Sequence, residues 1–428
     1  MGLDIGTTSI SIAVIDENNR VVDSLSRAHN AFIETPEPWA KIQNAEKLLS
    51  LAMEMVEEMY GKYKLSSIGV TGQQHGIAYL DAEGNVLSPL YTWQDARALQ
   101  KINGKSCLDE IKEKTGLSLS AGFGLATHYY NQKYGLVPEN AVCFATIADI
   151  AVMRLTGRTS SAIEASNAHS FGMFDIAGGD FDRAAVSKAG MDVSMLPQMC
   201  SGRIVGEHCG IPVAAAIGDN QASFIGAVSG DERAVLVNEG TGGQISLHTD
   251  RISMYSSMEL RPYPLGGYLL AGSSLCGGRA WALTERFFRE SVAALTGIDT
   301  PVYEALEKLL DNTADTGEHP RVNTCFDGTR SEPDKRGSIE GISIQNFTPG
   351  QFALGILHGM AEELYVMYEA CLNEGLEPKK RLIGSGNGLR LNKHLRRVMA
   401  ETFGMPLEMS VCVEEASVGA AIFSRKSV

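Results

Sequence analysis

Two segments far apart in this 428-residue chain carry the same pattern of groups able to hold an anion. The first is Asp4-Ile5-Gly6-Thr7-Thr8-Ser9-Ile10-Ser11; the second is Asn238-Glu239-Gly240-Thr241-Gly242-Gly243-Gln244-Ile245-Ser246. Each reads as an apolar strand, a polar residue two before Gly-Thr, and a second strand. A tight turn of this kind presents backbone N–H groups and a hydroxyl at its tip, a nest that suits a phosphate oxygen. Gly and Thr are also ordinary turn residues, so either segment alone is equally well a plain hairpin. One in each half of the chain points instead to a duplicated domain with two phosphate-gripping hairpins.

A phosphoryl group moves to an alcohol only when something takes the hydroxyl proton. The candidate is Asp219, in Ile217-Gly218-Asp219-Asn220-Gln221-Ala222-Ser223. The small apolar run Ala214 to Ile217 reads as a buried strand, and a carboxylate emerging at its C-terminal end stands where ligands gather in α/β folds. Asp just before a helix is also a common N-cap, and the local sequence leaves both readings open. Asp4, ahead of the first hairpin, could hold Mg²⁺ through water, because Mg²⁺ takes few carboxylates and keeps its waters; a turn-stabilising Asp is the alternative.

Three further clusters offer polar groups. Gln73-Gln74-His75-Gly76 follows a strand and supplies amide and imidazole groups for sugar hydroxyls, although a lone His in such a place is commonly structural. Trp93-Gln94-Asp95-Ala96-Arg97 sets a carboxylate and a guanidinium two apart, for charged hydrogen bonds to a polyol or for a surface ion pair. Gly384-Ser385-Gly386-Asn387-Gly388 lies between a strand and a helix, but its glycines do not keep the G-x-G-x-x-G spacing of a dinucleotide site. The chain has no G-x-x-x-x-G-K-[ST], no H-E-x-x-H, and no G-x-S-x-G. That removes Walker-type nucleotide sites, common zinc hydrolases and common serine hydrolases.

The elements that must position these residues follow from periodicity. Gly2 to Asp16 reads as a β-hairpin turning on Gly6-Thr7-Thr8, and Ser67 to Val70 as a short buried strand. Apolar residues from Trp39 to Tyr60 recur at helical spacing, as they do over Phe352–Asn373 and Lys393–Phe403. The stretch from Asp311 to Gly337, rich in Gly, Asp, Asn and Pro, is expected to be a long surface excursion. A polar break at Ser229-Gly230-Asp231-Glu232 sets the boundary between two α/β halves, residues 1–228 and 229–428.

Composition narrows the class. Hydrophobic residues make up 44% and charged residues 21%, values of a globular protein long enough for two domains. The net charge of −14 argues against nucleic acid as a partner. Eight cysteines are scattered without a C-x-x-C pair, as expected of reduced thiols in the cytoplasm. The first strand begins at Gly2-Leu3, which leaves no room for a signal peptide, and no apolar run approaches the roughly 18 residues of a membrane span. The expectation is a cytoplasmic protein without a membrane partner.

Taken together, Asp4-Ile5-Gly6-Thr7-Thr8, Gly72-Gln73-Gln74-His75-Gly76, Trp93-Gln94-Asp95-Ala96-Arg97, Gly218-Asp219-Asn220-Gln221-Ala222, Gly240-Thr241-Gly242 and Gly384-Ser385-Gly386 resemble the FGGY carbohydrate kinases, in the family's order and over essentially the whole chain. The resemblance implies two actin-like ATPase (ribonuclease H-like) domains with an interdomain cleft, sugar in the N-terminal domain and nucleotide in the C-terminal one. It implies Asp219 as catalytic base, with Gln74, His75, Asp95, Arg97 and Asn220 on the sugar. Thr7, Thr8, Thr241 and Gly242 would hold phosphates, Gly386, Asn387 and Asn392 would lie near adenosine, and Asp4 near Mg²⁺. ATP and Mg²⁺ are the implied cofactors, a sugar and ATP the small-molecule partners, and a homodimer one assembly the family admits.

Within the family, Thr92 to Arg97, Ala121 to Thr127 and Gly384 to Asn392 are similar to the sedoheptulokinase branch, which implies phosphorylation of a primary hydroxyl of sedoheptulose. Gln74 stands where Met is usual before the His, and Glu164 where Asp is common. These departures keep a xylulokinase or another polyol kinase as the alternative. A sugar or nucleotide sensor without turnover is the rival from another class.

Overall fold

The computed structural model describes residues 1–102, 104–329, 332 and 334–425. The chain forms two compact units. One comprises Met1–Gly230, Arg261–Gly267 and Cys412–Val428; the other comprises Asp231–Leu260 and Tyr268–Val411.

In the first unit Gly2–Ile5 and Ser9–Ile15 form the expected antiparallel hairpin, paired Gly2 to Ala13 through Ile5 to Ile10. Val21–Ala28 adds to its outer side, while Gly69–Gly72 and then Ile217–Gly218 add in parallel on the other side. The sheet of the second unit repeats this plan. Ala234–Glu239 and Gly243–Thr249 make the hairpin, Tyr268–Ser274 extends it antiparallel, and Arg381–Ser385 and Leu407–Met409 add in parallel; a further strand, Glu259–Pro262, lies at the edge. Strand order fifth–fourth–first–second–third thus occurs twice. The duplication read from the two Gly-Thr segments is a duplication of topology, and both units are α/β.

Helices cover the sheets of both units. In the first unit the helix Ala45–Lys62 contributes Leu48, Leu49, Ala52, Met55, Val56 and Met59 to the core. It starts later than its periodicity implies: Asn44 caps it by accepting from the Lys47 amide, and Ile42–Gln43 pairs as a strand with Phe32–Ile33 and Leu90–Tyr91. The long helix Pro349–Asn373 covers the second sheet. The stretch expected to be a surface excursion is partly core: Arg321–Asn323 pairs with Ser338–Glu340, and Val322, Thr324 and Cys325 are buried. Arg330, Ser331 and Pro333 of that stretch lie outside the described residues.

A division into residues 1–228 and 229–428 differs from these units at Ser229 and Gly230, at Arg261–Gly267 and from Cys412 on, where the helix Glu415–Ser424 belongs with the first unit. Small residues bring it in. A Cβ on Gly419 would lie 1.8 Å from the Ala222 carbonyl oxygen, and one on Gly226 would lie 2.0 Å from the Glu415 carbonyl oxygen. The helix therefore touches the helix Asp219–Val228 backbone to backbone. Gly2 and Gly69 give it the same close approach to the sheet.

Candidate active site

Asp219 is the first residue of the helix Asp219–Val228, directly after the strand Ile217–Gly218. The N-cap of that helix is Gly218, which has no side chain to cap it, and the Asp219 carboxylate stands at the first turn beside the amides of Asp219 and Asn220. It accepts a hydrogen bond from the Gln74 amide at 3.3 Å. Gln74 follows the neighbouring parallel strand Gly69–Gly72, so two adjacent strand ends define the position. Burial pushes the Asp219 pKa up, and the backbone donors and Arg261 pull against it.

Asp4 lies on the central strand, paired with Ser11 on one side and Thr71 on the other. Its Oδ1 is buried and has no hydrogen-bond partner among the described residues. Burial, then repulsion from Asp219 and Glu414, pushes its pKa up to about 7. A buried carboxylate oxygen without a donor, facing other carboxylates, is a group that a divalent cation would satisfy, so Asp4 fits Mg²⁺.

The hairpin tip beside Asp4 is braced from behind. The Thr7 carbonyl accepts from Gln43 Nε2 at 2.8 Å, the Gly6 carbonyl from Gln73 Nε2 at 3.4 Å, and the Thr7 hydroxyl from Trp93 Nε1 at 3.0 Å. Thr8 is exposed at the tip. In the second unit the corresponding tip is held by the helix Gly277–Thr296: Gly278 and Arg279 donate their amides to the carbonyls of Gly240 and Thr241 at 2.9 and 3.0 Å. Thr241 is exposed and Gly242 half-buried. Gly386, at φ +85°, ends the neighbouring strand, and a Cβ there would meet Asn238 Oδ1 at 2.5 Å. Asn387 follows it, exposed. Thr241, Gly242, Gly386 and Asn387 thus cluster at the tips of two adjacent strands. Asn392 is engaged elsewhere, since its Oδ1 caps the helix Lys393–Phe403 by accepting from the Leu395 amide.

The sugar-side residues divide. Gln74 is buried, its side-chain amide donating to the Ser166 carbonyl. His75 adopts φ +70°, unusual for a residue with a Cβ. Its ring stacks on Phe123 at 4.6 Å and its Nδ1 lies 2.7 Å from the Ser170 carbonyl. Asn220, the residue after Asp219, is half-buried.

Asp95 and Arg97 are not brought into this group. The Asp95 carboxylate accepts from Arg97 Nε and Nη2 and from the amides of Arg97 and Lys41, and Asp95 is 0% exposed. The Arg97 guanidinium also donates to Asn131 and lies over the Tyr91 ring at 4.1 Å. With these groups satisfied internally, the pair secures its loop from within. The exposed members of that motif are Trp93, at 45%, and Gln94, to neither of which the sequence setting assigns a role.

Two other features escape the sequence. Glu239, 1% exposed, occupies the position that Ile5 holds in the first hairpin; neither carboxylate oxygen has a partner among the described residues, and burial with Glu363 pushes its pKa up to about 8. Asp315, His319 and His358 bring possible ligand atoms within 4.8 Å of one another. There the imidazoles stack nearly parallel at 3.9 Å and Arg397 holds Asp315, so the ring lone pairs do not converge.

Among the described residues no helix is long and apolar enough to cross a membrane, and all eight cysteines are free. The sedoheptulokinases of Mus musculus and Homo sapiens are each 26% identical to the chain, over 99% of it and 96% of their own length. In fold, the chain is similar to a xylulose kinase from Rhodospirillum rubrum (20% identity, TM-score 0.82, 99% of this chain and 89% of that one). It is likewise similar to a Plasmodium falciparum glycerol kinase solved with ADP (21%, 0.78, 99% and 88%). The model of the FGGY family of carbohydrate kinases, N-terminal domain, matches residues 1–237, and that of the C-terminal domain residues 247–425. With twin sheets that each end in a Gly-Thr tip, a carboxylate at a strand end of the first, and both family halves matched in order, the chain belongs to the FGGY family of carbohydrate kinases, ATP-dependent enzymes that phosphorylate an alcohol group of a sugar.

Proposed function

We propose that the protein transfers the γ-phosphoryl group of ATP to a primary hydroxyl of sedoheptulose, giving sedoheptulose 7-phosphate and ADP. What carries the reaction is the placement of Asp219: a carboxylate at the junction of a strand end and a helix start, beside the buried carboxylate of Asp4. Likeness to two sedoheptulokinases over nearly the full chain supports the substrate.

Asp219 accepts the hydroxyl proton as the sugar oxygen forms its bond to the γ-phosphorus and the bond to the β-phosphate oxygen breaks. His75 and Asn220 orient the sugar, and Gln74 holds Asp219 through its amide. Thr7, Thr8, Thr241 and Gly242 donate to phosphate oxygens, and Gly386 and Asn387 lie toward adenosine. Mg²⁺ held through Asp4 would offset phosphate charge.

A panel of sedoheptulose, xylulose, ribulose, fructose and glycerol with ATP tests the substrate. Sedoheptulose should give the highest kcat/KM. A clear preference for xylulose would move the assignment to a xylulokinase, and ATP binding without turnover on any sugar would make the chain a sensor.

The Mg²⁺ requirement is a separate test. Asp4 must give up its proton to bind metal. With its pKa near 7, the Mg²⁺ concentration for half-maximal rate should fall as pH rises through about 7. Asp4→Asn should raise that concentration by roughly 10-fold or more. The same half-saturating Mg²⁺ in both proteins and on both sides of neutrality would take Asp4 out of the metal site.

A further inference from the structure

Asp219 is held by a small closed circuit of hydrogen bonds, and one buried serine stands at its centre. Ser166 is fully buried in the short helix Ala165–His169. Its hydroxyl accepts from the amide of Gly218, the residue immediately before Asp219, at 3.1 Å. Its carbonyl accepts from Gln74 Nε2 at 3.0 Å. The Gln74 amide donates to Asp219 in turn. Ser166 thus grips the residues on both sides of the carboxylate.

Glu164 fixes Ser166. A single oxygen, Oε2, accepts from both the Ser166 amide (2.8 Å) and the Ser166 hydroxyl. With its proton directed to Glu164, the hydroxyl has its lone pairs turned toward Gly218. Space around the circuit is tight: a Cβ on Gly218 would lie 1.9 Å from Gln74 Nε2. A helix of five residues has little need of so buried a cap, and the bonds leave the helix for two other strand ends.

We infer that Glu164 and Ser166 form a positioning pair for the phosphoryl transfer, acting on Asp219 through the Gly218 amide and the Gln74 side chain. This rests on the reading of Asp219 as the base. Ser166 is fully buried and Glu164 is hydrogen-bonded to it; their effect is on where the carboxylate stands, and misplacement of a reacting group by about 1 Å can cost 10²-fold in rate.

A double-mutant cycle tests it, with kcat, both KM values and thermal melting measured for the full chain. Ser166→Ala should lower kcat by roughly 10- to 100-fold with the KM for ATP unchanged. In an Asp219→Asn background the same change should matter less than about threefold, because the group it positions is already gone. Glu164→Ala should resemble Ser166→Ala, and Glu164→Gln, whose amide oxygen can take both bonds, should restore most of the loss. If Ser166→Ala does not fold, the Glu164 pair carries the same comparison.

Equal loss in both backgrounds, or a fall in melting temperature with kcat intact, would overturn the positioning role and leave a structural cap. The Asp219→Asn protein alone reports on the base: near-full activity there would overturn that reading, and the positioning pair with it.

Discussion

Asp219→Asn is expected to lower kcat by about 10²–10⁴-fold, the usual contribution of a positioned general base. Asparagine keeps the size and can accept from the Gln74 amide, so the fold and the sugar KM should change little. What it loses is the ability to take a proton. The pH profile gives a second reading of the same residue. Burial raises the Asp219 pKa, so the acid limb of kcat/KM should fall above the ordinary aspartate range, with activity rising as pH increases through it. Asp219→Asn should remove that limb. A variant that keeps near-full activity, or that loses rate while keeping the limb, would show that another group accepts the proton.

The largest effect on stability is expected at the crossing of the helices Asp219–Val228 and Glu415–Ser424. Gly419→Val puts a branched side chain where even a Cβ would lie 1.8 Å from a backbone oxygen, and neither backbone can retreat without disturbing the sheet beneath. Overpacking of this kind costs about 3 kcal/mol, a loss of roughly 6–12 °C in melting temperature for a unit of this size. Gly61→Ala is the contrasting change. Nothing lies within 4 Å of a Cβ at Gly61, near the end of the helix Ala45–Lys62, and alanine is the better helix former. It should leave melting unchanged or slightly raised. If the two variants melt alike, the close approach at Gly419 is not a constraint on the fold.

Features written locally are legible in the amino-acid order. A strand, a Gly-Thr turn and a second strand share a short stretch of chain, so both hairpins can be read, and apolar spacing places the helix Lys393–Phe403 to the residue. The start of the first long helix cannot be read this way, because Trp39 and Ile42 continue its phase while Asn44 breaks it. Charge at positions 95 and 97 is plain, but burial is not: whether Asp95 and Arg97 face a ligand or each other depends on Asn131 and Lys41, far away in sequence. The resemblance alone suggests Asn392 as a ligand contact; that its Oδ1 also caps the helix Lys393–Phe403 is seen only in the structure. The Glu164–Ser166 circuit joins segments whose motifs can be read singly but whose mutual hydrogen bonds carry no local signal, and small residues such as Gly226 and Gly419 carry no periodic signal.

The assignment of Glu415–Ser424 to the first unit bears on how the protein is made. Synthesis runs from the N-terminus, and domains generally fold as they emerge. Here the sheet carrying Asp4 and the helix carrying Asp219 leave the ribosome long before the helix that covers them, with the whole second unit translated in between. The nascent first unit must wait with the backbones of Gly2, Gly69 and Gly226 uncovered. The base therefore reaches its finished surroundings only once Glu415–Ser424 has been made, so a nascent chain that stops short of that helix carries every residue proposed for catalysis without the packing that holds Asp219 in place.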